Sequence, residues 1–362
     1  MLGDEQWSLP RGCCTTEGLR MIRVGRRISQ VDVARAAGVS TAVVSTVVNG
    51  RTDGPIRVSE ATRERVLAAV EELGYVPDPA ARRLVGARSQ VIGVFTYEAV
   101  FPLAARSFYH DFLIGIEQAA EEADQDLLLV TSSRRAASQR SLYATGVNGL
   151  RLADGGLLFG SSIVEADVRR LASEGYPFVF IGERRLPDVE LSFVAADYVG
   201  ATSALVRRSA DLGHERIGFV RQGEDVVTGR YAGFVAGVQE RDLPLHVFEL
   251  RSERIEQVPA WVRQHDLTCI FMQGRTSLGL VEPVLAEAGI RVPADLSVVS
   301  LGGYPDRLAD RMVTHLSIPR LEMGREGVRL LMELTDNPAR APRRARLSCE
   351  IADGETLVEP TR

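Results

Sequence analysis

The chain has 362 residues, of which 45% are hydrophobic and 25% are charged, and its formal net charge is −5 at pH 7. This composition is ordinary for a globular protein and excludes collagen-like and intrinsically disordered classes, while the length exceeds the roughly 250–300 residues that one core supports. No apolar run reaches the ~18 residues of a membrane span, and the first residues lack a signal-peptide pattern, so we expect a cytoplasmic protein of at least two domains.

The charges are unevenly divided along the chain. All 43 basic residues are arginine; residues 1–88 carry 13 of them against 10 acidic residues, whereas residues 89–362 carry 30 against 38. A basic first segment on an acidic remainder is typical of a protein whose one end meets a polyanion. The four cysteines have neither CxxC spacing nor a disulfide framework, and the five histidines are scattered. We therefore predict no metal site, no cofactor and no catalytic residues.

The first ordered element is predicted to begin near Ser29. Residues 1–26 have no repeating apolar face and are expected to form a disordered tail. Ser29 and Asp32 have the spacing of a capping box, VDVARAA continues as a helix, and Gly38 ends it.

The next stretch, GVSTAVVSTVVNG, has two interpretations. Its valines suit a buried strand, but Ser40 is a good N-cap and the valines recur at three- and four-residue steps, which favours a short helix. A helix, a turn containing glycine and a second helix form the unit whose second helix enters the major groove of DNA. A third helix is predicted for SEATRERVLAAVEELG, between its cap Ser59 and Gly74.

Beyond Val91, short apolar runs alternate with amphipathic segments, as in VIGVF before DFLIGIEQAAEEA and RIGFV before YAGFVAGVQE. This alternation predicts parallel sheets with helices on both faces. There are enough such units for two sheets, and the cleft between the sheets is the expected ligand site. No GxGxxG, GxxxxGK(S/T) or GxSxG element occurs, so nucleotide-binding and hydrolase functions lose their main support.

The run VDVARAAGVSTAVVSTVVNG, followed by RVSEATRERVLAAVEELGYVPDPAARRLVGARSQVIGV, resembles the N-terminal signature of the LacI/GalR family of bacterial transcription regulators. The similarity extends with lower density to about residue 350. It implies an α/β protein with an N-terminal three-helix helix-turn-helix headpiece, a hinge helix, and a two-lobed effector domain with parallel sheets that is similar to periplasmic binding proteins. It also implies a homodimer, a pseudo-palindromic operator in double-stranded DNA, and a small-molecule effector such as a sugar or a related metabolite.

The resemblance also implies where the domains divide. We expect the helix-turn-helix domain at 27–76, the hinge helix and linker at 77–90, and the effector-binding and dimerisation domain at 91–362. Within that last domain, lobe 1 is expected at about 91–209 and 318–343, and lobe 2 at about 210–317 and 344–362.

The DNA contacts implied by the resemblance surround the second helix. Small side chains let such a helix approach base edges, and hydroxyls, amides and helix N-termini hold phosphates, although each Ser or Thr could be merely a cap. Thr46 stands where many members of the family carry an arginine that grips guanine through two hydrogen bonds. The implied base-reading residues are Thr41, Ala42 and Thr46; the implied phosphate contacts are Ser29, Ser40, Asn49, Ser59 and Thr62; Ser45 and Arg51 are further implied DNA contacts.

The segment VPDPAARRLVG is the predicted hinge helix. Pro79 suits the first helical position, but a helix of about eight residues is not stable alone. By the resemblance, two hinge helices of a dimer pack together in the minor groove, where Leu84 wedges between base pairs and Ala81 and Arg82 contact the DNA. The alternative is a plain charged linker.

The effector cleft keeps only part of the family's ligand-binding pattern. By the resemblance, Asp197 is the ligand-facing acid and Arg230 holds hydroxyls or a carboxylate, although these two residues could form only a structural ion pair. Gln273 and Gly302 begin the pairs that replace the family's usual Asn-Asp and Asp-Asp. Much of the sugar-binding set is therefore missing, and the pocket takes either a different ligand or none.

Tyr97 and Phe101 follow the first predicted strand. Their rings could stack on a ligand at the mouth of the cleft, but aromatic residues at strand ends more often pack in a core, and we favour packing.

The sequence thus predicts a DNA-binding transcription regulator, most simply a repressor, whose operator affinity is modulated by a small molecule between the lobes. Two alternatives stay open: a cytoplasmic sugar-binding module without DNA activity, and a regulator that has lost its effector response.

Overall fold

A computed structural model describes residues 28–48, 57–75, 88–97, 109–131, 140–160, 163–222, 229–302, 307–308, 311–337 and 340–361. The chain divides into two compact units, Met1–Ala87 and Arg88–Arg362, which we call the headpiece and the effector domain. The expected tail (1–26), most of the expected hinge (77–90), and the implied contacts at Asn49, Arg51, Ala81, Arg82, Leu84 and Phe101 lie outside the described residues.

The described helices and strands alternate along the effector domain, as the apolar runs predict. The helices are α1 (Gln30–Ala37), α2 (Thr41–Val48), α3 (Glu60–Leu73), α4 (His110–Glu122), α5 (Glu165–Ser173), α6 (Tyr198–Asp211), α7 (Arg230–Glu240), α8 (Val258–Gln264), α9 (Arg275–Glu287) and α10 (Arg320–Asp336), with a 3-10 helix at Ser252–Gln257. The strands are β1 (Val91–Thr96), β2 (Asp126–Val130), β3 (Gly155–Phe159), β4 (Phe178–Ile181), β5 (Phe193–Asp197), β6 (Ile217–Arg221), β7 (His246–Glu249), β8 (Cys269–Met272), β9 (Ser297–Ser300), β10 (Arg307–Leu308), β11 (Arg311–Met312), β12 (Thr314–Ser317), β13 (Arg344–Ser348) and β14 (Glu350–Ala352).

The described residues of the headpiece form a bundle of three helices, and the valine-rich stretch is helical over Thr41–Val48 rather than a strand. The axes of α1 and α2 are bent by 104° at the turn that contains Gly38, whose φ of 64° is the left-handed conformation of a helix end. Val44 and Val47 face inwards from α2 and meet Val33 of α1 and Val66 of α3 in one core. These two valines therefore form the packing face of α2, and Thr41 and Ala42 lie exposed at the start of the helix.

The first lobe of the effector domain is built on a six-stranded sheet in the order β13-β5-β4-β3-β1-β2, and all its strand pairs are parallel. The central strands are buried throughout because helices cover both faces: α4 and α10 pack on one face, and α5 packs on the other. The sheet of the second lobe has the order β14-β12-β9-β8-β6-β7, in which only β14 runs antiparallel to its neighbour.

The described part of the effector domain passes between the lobes three times. The crossings lie between β5 and α6, between β12 and α10, and at Cys349 between β13 and β14. Two of them differ from the expected lobe boundaries. Helix α6 packs in the core of the second lobe through Leu205 and Val206, and β13 pairs with β5 of the first sheet. The first crossing is therefore near Asp197 rather than 209, and the last is near Cys349 rather than 343.

Among the described residues, no single helix combines the length and the hydropathy that a membrane span needs. Helices α1 and α2 pass on length and composition only when they are taken together, despite the 104° bend between them.

Candidate DNA-binding surface and effector cleft

The N-terminal turn of α2 presents small side chains to solvent. Ser40, Thr41 and Ala42 are exposed and Ser45 is half-buried, while Val44 behind them is fully buried. The Ser40 hydroxyl accepts a weak hydrogen bond from the Val43 N–H at 3.4 Å, which fits its predicted role as a cap. A surface of this kind lets a helix backbone come close to a groove without steric conflict.

Thr46 differs from the prediction that it reads a base. It is only 9% exposed, and its hydroxyl donates to the carbonyl oxygen of Ala42 at 2.9 Å. A short side chain bonded to the preceding turn of its own helix cannot also reach a base edge in this conformation. The structure therefore leaves Thr41 and Ala42 as the exposed members of the predicted base-reading set.

The predicted phosphate contacts fall into two groups. Ser59 and Thr62, at the start of α3, join their hydroxyls at 2.9 Å, and the Ser59 hydroxyl accepts from the Thr62 N–H at 3.4 Å. Such a helix start has amide groups and a partial positive charge that suit a phosphate. Ser29 is different, because its hydroxyl and its N–H both donate to the Asp32 carboxylate, at 2.6 and 2.9 Å. A carboxylate at this position opposes a second anion.

In the effector domain, the carboxyl ends of the parallel strands meet the crossings between the lobes. Ligands bind at such ends in open α/β sheets. Asp197 ends β5 and caps α6, where its Oδ1 accepts the Gly200 N–H at 3.1 Å. Arg230 begins α7, where its Nε donates to the Leu301 carbonyl at 2.8 Å and its guanidinium lies 4.0 Å from the centre of the Tyr198 ring.

Asp197 and Arg230 do not form the structural ion pair that the sequence left open, since no salt bridge joins these two described residues. The two terminal nitrogens of Arg230 and the Oδ2 of Asp197 make no hydrogen bond to a described residue. The arginine is nevertheless fixed by its Nε bond and its ring contact. Two donor nitrogens and one acceptor oxygen are thus available beside the crossings between the lobes.

A second arginine, which sequence reasoning missed, lies at the same place. Arg320 begins α10, is only 3% exposed, and donates across the lobes to the Gly302 carbonyl at 3.3 Å. Burial raises the pKa of the Cys349 thiol to about 11, and the charges that act on it are those of Arg230, Asp197 and Arg320. The three charged groups therefore converge on the third crossing. No motif marks Arg320, apart from its position after Pro319 in a helix start.

Gln273 and Gly302 are close to the cleft but are already engaged. Gln273 is 9% exposed, and its Oε1 accepts the Gln222 N–H at 2.7 Å, which ties the ends of β6 and β8 together. The buried Gly302 donates its N–H to the Ser300 hydroxyl at 3.3 Å and gives its carbonyl to Arg320. Of these two residues, only Gln273 can contact a ligand, through its side-chain NH₂. Gly302 has no polar group left for the effector contact that the sequence predicts.

Tyr97 lies in the core and not at the mouth of the cleft. This agrees with the packing role that we favour and contradicts a role for Tyr97 in effector binding. Its ring is 3% exposed and meets Phe95 edge-on at 4.9 Å, beneath α5. Its hydroxyl makes no hydrogen bond to a described residue, and burial raises its pKa well above the usual value. A ring held between a sheet and its covering helix cannot stack on a ligand in the cleft. Among the described residues, no group of three or more metal-ligating side chains occurs.

Two family models match the chain. Residues 31–78 match the model described as bacterial regulatory proteins, lacI family, and residues 206–357 match a periplasmic binding protein-like domain. The first match lies within the headpiece, and the second covers most of the second lobe together with α10 and β13 of the first lobe.

Curated relatives cover nearly the whole chain. The chain is similar to the HTH-type transcriptional regulator CelR of Thermobifida fusca, with 31% identity over 324 residues, which are 85% of this chain and 92% of the relative. It is also similar to the HTH-type transcriptional repressor CytR of Escherichia coli (strain K12), with 27% identity over 91% of this chain and 96% of the relative.

Solved structures agree on the fold. A CelR–cellobiose complex shares 25% identity and a TM-score of 0.59 over 91% of this chain and 100% of that chain. The lac repressor dimer bound to operator and an anti-inducer shares the fold with a TM-score of 0.67 at 20% identity, over 92% of this chain and 100% of that one. The chain belongs to the lacI family of bacterial regulatory proteins and is a helix-turn-helix transcriptional regulator.

Proposed function

We propose that this regulator is a repressor that binds a pseudo-palindromic operator as a homodimer, with α2 in the major groove and its affinity set by a small molecule between the lobes. The observation that carries the proposal is the exposed turn Ser40–Ala42 on a helix whose opposite face is fixed by Val44 and Val47. A rigid helix with small exposed side chains at its start is the geometry that reads base edges.

The contacts at the operator follow from this placement. Thr41 and Ala42 face the bases, and Ser40, Ser45, Ser59 and Thr62 lie where they can hold phosphates. Asn49 and Arg51 complete this set by the family pattern. Ala81, Arg82 and Leu84, in the predicted hinge, widen the contact by entering the minor groove, where unstacking a base step costs a few kcal/mol.

The effector is a sugar or a related polar metabolite that touches Arg230 and Asp197. The relative CelR was solved with cellobiose, which supports a sugar. Hydroxyls both donate and accept, so a ligand with several hydroxyls can accept from the terminal nitrogens of Arg230 and donate to Oδ2 of Asp197, which make no hydrogen bond to a described residue. Because Gln273 and Gly302 have little left to offer, fewer groups hold the ligand than is usual in the family, and a regulator without effector response is the alternative that this observation favours.

The ligand signal is transmitted through the crossings. Arg230 belongs to the second lobe, whereas Asp197 ends β5 of the first sheet. A ligand that bonds to both residues therefore prefers one arrangement of the lobes. An arrangement that orders both hinges of a dimer binds the operator more tightly, and a ligand can shift this balance only through its different affinity for the two arrangements. No step of this role requires catalysis, and the protein works in the cytoplasm with the DNA.

Genome-wide footprinting of bound sites tests the proposal. We expect a small number of sites with two inverted half-sites. A panel of mono- and disaccharides, cellobiose and sugar acids included, is then tested for release of a labelled duplex that carries the recovered site. Binding without sequence preference would contradict an operator, and a recovered operator that no panel ligand releases would favour the regulator without effector response.

A further inference from the structure

A groove on the edge of the first lobe has the features of a second ligand site. It has a volume of about 450 Å³ and lies between the segment 183–191 and the edge strand β13. We propose that this groove binds a small, multiply charged oxyanion, either a phosphate ester or a polycarboxylate, independently of the cleft at Arg230.

The charge of the groove is opposite to that of its surroundings. Arg184, Arg185, Arg344 and Arg346 line it, and Glu183 is the one acid among the described residues of its lining. Residues 89–362 as a whole carry 38 acidic residues against 30 arginines. A local excess of three positive charges in an acidic domain concentrates anions, and a concave site strengthens that effect. Arginine is also the side chain best suited to carboxylates and phosphates because it offers two parallel N–H donors.

Three of the four arginines are held in place by hydrogen bonds before a ligand arrives. The side chain of Glu183 is only 13% exposed, and its two oxygens pair with Arg185 at 2.7 Å and with Arg346 at 2.8 Å. Burial works to raise the pKa of Glu183, but the hydrogen bonds from Arg346 and Arg185 outweigh it and hold the pKa below its usual value. Arg184 donates to the Glu183 carbonyl at 2.6 Å and also to the Gly160 carbonyl. The segment is thus fixed to the end of β3 and to the edge strand β13.

Arg344 supplies the donors that are still available. Its backbone pairs with β5, but its side chain is exposed and makes no hydrogen bond or ion pair to any described residue. Its guanidinium carbon lies 6.0 Å from the centre of the Phe193 ring, and that of Arg346 lies 5.8 Å from the same centre. Phe193, which is 3% exposed, therefore forms an apolar floor beneath both cations. Two arginines over one ring present their N–H groups side by side.

Charged residues on an edge strand also prevent unwanted strand pairing. That role needs exposed charge alone. It does not need a buried carboxylate that clamps two arginines, nor a walled groove of a volume that falls in the range of small-molecule sites. The combination in one place points to binding.

Isothermal titration of the full chain in a dilute buffer free of phosphate tests the site, with pyrophosphate and citrate as separate probes. We expect saturable binding of at least one probe, with one molecule per chain. Tighter binding of pyrophosphate identifies the ligand class as phosphate esters, and tighter binding of citrate identifies it as polycarboxylates. The substitutions Arg344→Ala and Arg344→Gln each weaken the binding by about tenfold or more, since each removes a charge-assisted contact.

Two control variants separate this site from other causes. Arg230→Ala leaves the binding unchanged if the groove is independent of the cleft. Arg251→Ala removes another exposed arginine, from the second lobe, and also leaves the binding unchanged. The proposal is overturned if neither probe saturates, if the Arg344 variants bind like the parent, or if Arg230→Ala or Arg251→Ala weakens binding as much as the Arg344 variants do. Footprinting of the operator is unaffected by these outcomes, so the proposed regulatory function stands or fails separately.

Discussion

Placing a negative charge on the exposed turn of α2 is a sharp test of how the headpiece meets DNA. Ala42→Glu changes a side chain that has no packing role, and an acid in the first turn of a helix stabilises it by about 0.3–1 kcal/mol. The headpiece therefore stays folded. A carboxylate about 6 Å from one phosphate is repelled by roughly 0.7–2.8 kcal/mol for effective dielectric constants of about 80 to 20. This repulsion weakens each half-site by about 3- to 100-fold, and a dimer on two half-sites by about 10- to 10,000-fold.

The assay is fluorescence anisotropy with a labelled duplex that carries the footprinted site. Leu67→Glu is the matched control because it adds the same charge at a position of α3 that is 48% exposed. We expect this control to bind within a few-fold of the parent. The reasoning is refuted if folded Ala42→Glu binds like the parent, and an equal loss in both variants would show an effect of net charge alone.

Three further outcomes follow from the effector domain. In calorimetry, Arg230→Ala weakens binding of the ligand that releases the operator by about 10- to 100-fold, while the affinity for the operator without ligand is unchanged. An unchanged ligand affinity would show that Arg230 does not contact the ligand. Gly115→Ala lowers the free energy of unfolding in urea by about 1–3 kcal/mol because the new Cβ would clash with the Leu321 carbonyl oxygen. Gly279→Ala has open space around it and raises the free energy of unfolding by about 0.5–1 kcal/mol. The opposite order of stability would contradict the close approach of α4 and α10. Burial holds the pKa of His214 below its usual 6.5. The unfolded chain therefore takes up a proton that the folded chain does not, and stability falls as the pH drops below 6.5. His214→Gln shows a weaker fall in Tm between pH 7.5 and 5.5, and a fall identical to that of the parent would contradict the buried neutral ring.

Local patterns were sufficient for the headpiece helices. The spacing of Val43, Val44, Val47 and Val48 predicts that α2 is a helix, and the structure has it over Thr41–Val48. The same pattern cannot say which polar residue turns back on its own helix. Thr46 does so because its hydroxyl finds the Ala42 carbonyl one turn earlier, and that choice depends on burial that no local spacing reports.

In the effector domain, the alternation of strands and helices predicts the layers but not which lobe receives each element. Strand β13 joins β5, and the neighbouring bond from the Arg343 N–H to the Ser192 hydroxyl spans 151 positions in the sequence. Pairing over such a distance is decided by the whole sheet. For the same reason Arg320 was missed: its partner Gly302 lies in the other lobe, and no motif links the two.

The measurement that tests the central claim most directly is the affinity of the full chain for the footprinted duplex as a function of salt. If arginines of the headpiece neutralise phosphates while α2 reads the bases, the logarithm of affinity falls linearly with the logarithm of salt concentration, with a slope on the order of −5. A scrambled duplex then binds far more weakly at every salt concentration. A flat dependence with equally weak binding to both duplexes would contradict the account and leave only a ligand-binding module.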